Sequence, residues 1–219
     1  IDDELRHFTT PYEATIKGYQ NDVKSILALV DAVATGAPIA HRFYKVKAKL
    51  LKEKRLTYAD RAAHVGTVET KIPFEQAVRT VREVFGGLDP IYADIFDRFL
   101  TNGQVDVKKG KSGGAFCASG VNIPTFLLLN HISNYDSLKT LGHEMGHGVH
   151  AERAKSQRFL YQGHPISTAE TASTFFETAA LNRIIATLPE RERIVALHDK
   201  TQDNIATVFR QVACFRFER

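Results

Sequence analysis

The spacing of apolar residues along this chain is mostly that of amphipathic helices. Across residues 12–34 apolar side chains recur close to every 3.6 residues, which predicts one helix that ends at Gly36. A second helix is predicted over residues 73–85, because a proline stands at its first position and apolar residues follow on one face. The pair Gly86 and Gly87 is predicted to stop it.

The pattern changes at residue 101. After a third helical stretch over residues 91–100, the segment 101–132 contains glycines, a proline and two short apolar runs, which are typical of strands or extended loops. Helical spacing returns over residues 133–219. The sequence therefore predicts a mainly α fold with a small β-sheet, and we interpret residues 1–219 as one region, helical over residues 1–100.

Composition places the chain among ordinary globular proteins. It is 43% apolar and 25% charged, and no apolar run approaches the roughly 20 residues needed to cross a bilayer. The first residues lack the basic start and apolar segment of a secretion signal. Only Cys117 and Cys214 could pair, which favours free thiols in a reducing compartment. These features predict a cytoplasmic protein without a membrane partner.

One basic cluster, "KVKAKLLKEKR" over residues 45–55, raises the question of nucleic acid binding. An apolar stripe of Phe43, Val46 and Leu50 runs through the same helix and would leave the lysines on its outer face. The net charge is only +4, and neither a phosphate-binding loop nor an aromatic platform accompanies the cluster. We interpret it as a solvated helix surface and predict no nucleic acid partner.

The stretch "HEMGH" carries the strongest chemical signal. His143 and His147 are four residues apart, so on a helix both imidazoles lie on one face and can bind the same ion. Glu144 stands beside the first histidine, within reach of a water that the ion activates. Imidazole nitrogens suit zinc. The motif predicts a metal site with a general base next to it.

Three glycines, Gly142, Gly146 and Gly148, surround this motif. Each costs about 1 kcal/mol relative to alanine inside a helix, so a purely structural helix would not be expected to hold three. We expect another element or a substrate to approach the helix closely here.

A catalytic zinc needs three protein ligands and one open position. One group of enzymes places the third ligand in an H-E-x-x-H-x-x-G-x-x-H motif, but His150 and Arg153 occupy those positions here. A glutamate is the other common solution. Glu152 lies on the same helix at an unsuitable angle, which leaves Glu170 and Glu177 on the following helix.

From the residues alone, Glu170 has two interpretations. It can bind the metal, since Ser173 and Glu177 continue a polar line along an otherwise apolar helix. It can equally complete a capping box that begins at Ser167. Glu177 is either a partner of a ligand histidine or a surface carboxylate.

At "HEMGH" and "AETASTFFE" the sequence resembles the oligoendopeptidase F branch of the thimet-oligopeptidase-like zinc peptidases, family M3. The stretches "IPFEQAVRTVREVF", "GKSGGAFC" and "PTFLLLN" are similar to the middle region of that family. The resemblance implies that His143, His147 and Glu170 bind one zinc ion and that Glu144 is the general base. Glu177 falls at the second glutamate of the family.

The resemblance also implies a two-lobed helical architecture around a deep cleft, with the small sheet beside the zinc. Short peptides are the implied substrates, and we expect Ala115, Phe116 and Cys117 to offer backbone hydrogen bonds to them. Family members are much longer, with a helical region before this one and a tyrosine-bearing segment after it. The chain is therefore expected to be a fragment of the catalytic region, whose cleft a C-terminal segment or a partner completes.

Three functions follow as hypotheses. The first is a zinc-dependent endopeptidase that hydrolyses short oligopeptides with a metal-activated water. The second is a truncated or inactive relative that binds zinc and peptides, or a partner chain, without cleavage. The third is a purely structural helical domain that holds no metal.

Overall fold

The computed structural model describes residues 2–108 and 110–219. It is mainly helical, with one small sheet between the sixth and seventh helices. The helices are α1 (Asp2–Leu5), α2 (Glu13–Gly18), α3 (Val23–Thr35), α4 (Ala37–Leu50), α5 (Phe74–Leu88), α6 (Pro90–Thr101), α7 (Tyr135–Ala154), α8 (Ile166–Ile185), α9 (Glu190–Ile205) and α10 (Gln211–Glu218). A π-helical turn over Ala206–Arg210 joins α9 to α10, and short 3-10 turns lie at Ala59–Ala62 and Phe159–Tyr161.

The sheet has three strands in the order β1 (Val105–Asp106), β3 (Ile123–Leu128) and β2 (Phe116–Gly120). β1 is parallel to β3, and β2 is antiparallel to it, with Cys117 opposite Leu127. β2 is consequently an edge strand of this sheet, and an irregularity lies between Ala118 and Gly120. The prediction of a mainly α fold with a small sheet is confirmed.

Two compact units divide the chain, one formed by Ile1–Thr67 with Ile194–Arg219 and the other by Val68–Arg193. The second unit contains the sheet and helices α5 to α8. Its core is aromatic and aliphatic: the rings of Phe85 and Phe176 lie 4.3 Å apart, and Leu141 and Met145 are fully buried.

The first unit has an unusual interior. Lys47 of α4 is completely buried, and its ammonium donates to the carbonyl of Arg61 at 2.6 Å and to the side chain of Gln202. Burial lowers the pKa of this lysine. On the same helix Val46 and Leu50 are about half exposed. The interpretation of α4 as an apolar stripe with lysines outward is therefore wrong at Lys47.

Two predicted helix boundaries differ from the structure. The single helix predicted over residues 12–34 is two helices, because Gln20 has a φ of 58° and Asp22 caps α3 by accepting from the Ser25 N–H. The glycines expected to stop α5 lie inside it. At Gly86 a Cβ would lie 3.2 Å from the Cβ of Ala93 in α6, so this glycine allows close packing of the two helices.

No single helix among the described residues combines the length and apolar content needed to cross a bilayer. The pair α3 and α4, bent by 42° at their junction, has that length and composition only when the two helices are taken together.

Candidate metal centre

Helix α7 positions the "HEMGH" motif. It begins where the Asn134 side chain accepts from the Ser137 N–H, and a stripe that includes Leu138, Leu141 and Met145 is buried. This burial fixes the rotation of the helix. As the four-residue spacing predicts, the imidazoles of its two motif histidines lie together, with ring centroids 4.9 Å apart.

Close packing brings α8 onto this helix at the glycines. A Cβ on Gly146 would lie 2.9 Å from the Ser173 Cα, and one on Gly142 would lie 3.0 Å from the Ala180 Cβ. Because real Cβ atoms almost never approach so closely, neither position accepts a side chain without a shift. The expected close approach of another element is confirmed, and for Gly148 the neighbour is the Phe99 ring at 3.0 Å.

The α8 helix places Glu170 against both histidines. Its Oε2 lies 3.4 Å from His143 Nε2, and its Oε1 lies 3.7 Å from His147 Nε2. The capping box is not formed, since α8 begins at Ile166 after Pro165 and has no side-chain cap. Instead, the Ser173 hydroxyl donates to Glu170 Oε2 at 2.8 Å and helps to orient the carboxylate.

Two turns beyond Glu170 along α8, a second glutamate orients the first histidine. Glu177 Oε2 lies 2.7 Å from His143 Nδ1, and this hydrogen bond raises the pKa of the imidazole. With Nδ1 donating to the carboxylate, Nε2 carries the lone pair that can bind an ion. The interpretation of Glu177 as a surface carboxylate is not supported by this contact.

Glu144 is only 8% exposed and faces the edge strand. Burial raises the pKa of its carboxyl group, while His143 and a hydrogen bond from the Cys117 backbone oppose that shift. Since this N–H donates to Glu144, the backbone of Cys117 points away from β3 and toward the metal centre. Burial also raises the pKa of the Cys117 thiol to about 12, so the thiol is protonated near neutrality.

The donor atoms fit a small metal ion. One ligand atom from each of His143, His147 and Glu170 lies within 4.8 Å of the others. Tetrahedral zinc with bonds of about 2.0–2.2 Å separates its ligands by about 3.3–3.6 Å, and the nitrogen–oxygen distances of 3.4 and 3.7 Å are close to this range. Two nitrogens and a carboxylate are also the ligand types that zinc prefers.

Several polar residues near the centre had no assigned role from the sequence. Glu152 accepts from the Thr125 hydroxyl at 2.7 Å and from the Lys155 ammonium at 2.6 Å. His131 contacts the carbonyl of Ile72 at 2.9 Å, a structural role. The ring of His164 lies 4.1 Å from that of His150, one turn beyond His147. Apart from the Glu152–Lys155 pair, which is three residues apart at the end of α7, these contacts join separate elements and no local motif indicates them.

Of the remaining expected site residues, Phe116 is the first residue of β2 and Ala115 immediately precedes it.

The family profile and the similar proteins of known name both indicate a peptidase family. The sequence profile of Peptidase family M3 matches residues 4–219. The chain is 26% identical over 220 residues to the chromosomal oligoendopeptidase F of Lactococcus lactis subsp. cremoris, which covers 99% of this chain and 36% of the relative. It is 30% identical over 195 residues to oligopeptidase PepF of Bacillus subtilis (strain 168), with coverages of 87% and 29%.

Solved structures share the fold. A crystal structure of a protein named as a peptidase, from Chlamydophila abortus, superimposes with a TM-score of 0.86 at 24% identity and covers 98% of this chain and 37% of its own. PZ peptidase A matches with a TM-score of 0.69 at 18% identity, with coverages of 85% and 35%. The chain spans about a third of the length of the curated relatives it matches. Because the family profile extends over nearly all of its residues, this chain belongs to Peptidase family M3, a family of metallopeptidases.

Proposed function

We propose that this chain carries the catalytic centre of a zinc-dependent endopeptidase that hydrolyses peptide bonds in short oligopeptides. The convergence of His143, His147 and Glu170 beside Glu144 is the observation that carries the proposal. The names of the relatives, which include oligoendopeptidases and an oligopeptidase, support the same reaction and substrate size. In this proposal the first three residues bind one zinc ion.

Zinc held by these side chains would supply a Lewis acid that lowers the pKa of a water from about 16 to about 7 and polarises the scissile carbonyl. Glu144 accepts the proton of that water and later donates it to the departing amine. Its raised pKa, caused mainly by burial, makes it a better proton carrier near neutrality. Glu177 holds His143 in the tautomer that binds metal.

The edge of β2 is the proposed binding surface for the peptide backbone. The Cys117 backbone faces Glu144 rather than β3, so an extended peptide placed beside β2 would run past the general base. Ala115, two residues before Cys117, would present its backbone on the same side, whereas the backbone of Phe116, in register with Leu128, turns toward β3. A peptide that adds to the sheet here presents its main-chain carbonyl to the metal centre, which is the geometry that hydrolysis requires.

A cytoplasmic location is part of the proposal. It is supported by the two cysteines, Cys117 and Cys214, which are both free. The expected tyrosine-bearing segment that would complete the cleft stays a prediction.

The proposal is tested by Glu144→Gln. We expect this variant to retain one zinc per chain by elemental analysis but to lose cleavage of a quenched fluorescent peptide by about 10²–10⁴-fold, since the amide cannot accept a proton. Glu83→Gln is the matched control, because Glu83 is exposed and should leave the rate unchanged. Full activity in Glu144→Gln would exclude it as the base. A metal-loaded wild type that binds peptides without cleaving them would support the non-cleaving alternative.

A further inference from the structure

A polar pocket lies beside the metal centre, at the end of β2. It has a volume of about 270 Å³, and we call it the β2-end pocket. The volume is just below the range of about 300–1,000 Å³ for pockets that enclose drug-sized ligands, so it suits a single side chain. Its lining residues are Ser119, Gly120, Val121, Ala151, Lys155, Gln162, Gly163 and His164.

The pocket lies along the path that the proposed peptide would follow. β2 and α7 run in the same direction away from the metal centre. Near the start of β2, Cys117 contacts Glu144. Further along, Thr125 of β3, which lies between the partners of Ala118 and Gly120, bonds to Glu152, two turns later in α7. From residue 117 to residue 120 a strand advances about 10 Å. From residue 144 to residue 151 a helix also advances about 10 Å. The pocket is therefore about three extended residues away from the general base.

Hydrogen-bond donors dominate the pocket's chemistry. The Lys155 ammonium gives one N–H to Glu152, which leaves two for a ligand, and the side chain is about one-third exposed. Ser119 adds an exposed hydroxyl, and His164 adds an exposed imidazole. Among the described residues that line the pocket there is one cation and no carboxylate.

The wall opposite β2 is held in place. The Gln162 amide donates to the carbonyls of Lys155 and Gln157, at 3.4 and 3.1 Å, and the ring of His164 packs on His150 at 4.1 Å. The two rings are tilted by 34°, and among the described residues no group of three metal-binding donors includes either of them. The pair therefore fixes the wall and does not form a second metal site.

We infer that the β2-end pocket is a specificity subsite that receives an acidic side chain, Asp or Glu, three residues from the scissile bond. This inference rests on the proposed peptidase function. A carboxylate in the pocket accepts from the Lys155 ammonium and the Ser119 hydroxyl, and charge-assisted hydrogen bonds of this kind are the stronger ones.

Cleavage of a peptide series tests the inference. Quenched fluorescent peptides of one neutral sequence carry Glu, Gln or Lys at each position in turn, on both sides of the scissile bond. With the metal-loaded protein we expect Glu to exceed Gln in kcat/KM by roughly tenfold at one position, three residues from the cut. Lys155→Met should remove the preference, whereas Lys155→Arg should retain much of it.

Lys24→Met is the matched control, since Lys24 is exposed on α3 and its loss should leave the preference intact. Ser119→Ala should reduce the preference without removing it, and this variant guards against misfolding of the lysine variant.

A binding measurement separates this inference from the proposed function. Metal-loaded Glu144→Gln is titrated with fluorescein-labelled Glu and Gln peptides, and anisotropy should give a Kd about tenfold lower for Glu. Cleavage without a Glu preference, or a preference unchanged in Lys155→Met, would overturn the subsite and leave the peptidase proposal standing. Neither cleavage nor binding of any peptide would overturn both.

Discussion

The two helices at the metal centre are in close contact through small residues, whereas several large apolar side chains of the first unit are half exposed. Between α7 and α8 the contact is made by Gly142 and Gly146 against Ala180 and Ser173, with almost no free space. Along α4, by contrast, Val46 is 50% exposed. The first unit also leaves Leu50 and Ile194 exposed, at 48% and 60%.

The difference shows where the structure is most constrained. A metal centre requires donor atoms placed to within a few tenths of an ångström, and small residues in close contact leave two helices little freedom to slide. Among the described glycines of the first unit, none has the backbone of another helix against its Cβ position. Gly36 meets the Phe209 ring at 3.5 Å and the carbonyls of its own preceding turn, and Gly66 meets the Val195 side chain at 3.0 Å. Its most specific interior feature is polar, the buried Lys47.

The largest effect is expected from Gly146→Ala. The new Cβ would lie 2.9 Å from the Ser173 Cα, which is backbone and cannot rotate away. Overpacking of this kind costs about 1–3 kcal/mol, and the forced separation of α7 from α8 should also weaken zinc binding. Thermal unfolding and zinc titration measure the two effects.

Gly87→Ala is the matched control for that substitution. Gly87 is also helical, but nothing lies within 4 Å of its Cβ position. Alanine there should stabilise the protein by about 0.4–1 kcal/mol by restricting the unfolded chain. Equal effects at the two positions would show that the contact between α7 and α8 leaves room for a methyl group at Gly146.

An intermediate effect is expected from Lys47→Met. Methionine keeps most of the side-chain volume but leaves the Arg61 carbonyl and the Gln202 side chain without their donor. An unsatisfied buried acceptor costs about 1–3 kcal/mol, and relief from burying a charge offsets part of this, so we expect a net loss of about 1 kcal/mol.

Metal stoichiometry should stay unchanged in Lys47→Met, because Lys47 and its two partners belong to the first unit, whereas the candidate metal ligands belong to the second. Lys49→Met is the control, since Lys49 is exposed on the same helix and should change the free energy of unfolding very little. A loss of metal in Lys47→Met would contradict this expectation and show that the stability of the first unit affects the metal centre.

The smallest effect is expected from Leu50→Ser. This side chain is 48% exposed, and surface substitutions away from specific contacts usually change the free energy of unfolding by no more than about 0.5 kcal/mol. Urea denaturation provides the measurement. A loss above about 2 kcal/mol would show that Leu50 is covered in solution and that the first unit is packed more closely than its exposed side chains indicate.

Much of the fold was accessible from sequence because periodicity reports which face of an element is apolar. Helices α5 to α8 and the β segment follow from it. Periodicity does not identify what covers a face. The burial of Lys47 depends on the carbonyl of Arg61 and on Gln202, which lies 155 positions away in the chain.

At the metal centre, sequence spacing was enough for the two histidines because one helix carries both. Glu170 was ambiguous from the residues alone, since a cap and a ligand share the same local pattern. Only the packing of α8 against Gly142 and Gly146 separates the two interpretations. The bond from Thr125 to Glu152 was inaccessible, because no local pattern signals a bond between a strand and a distant helix.

The edge of β2 that faces away from β3 can bond only to a main chain whose own N–H and C=O groups are free. An amide already bonded within a helix or sheet has no free donor or acceptor to share with that edge, whatever its amino-acid sequence. This edge therefore distinguishes molecules by whether their main-chain N–H and C=O groups are free to bond. A partner would be accepted because it lacks regular structure, and a well-ordered one would be refused without any gate.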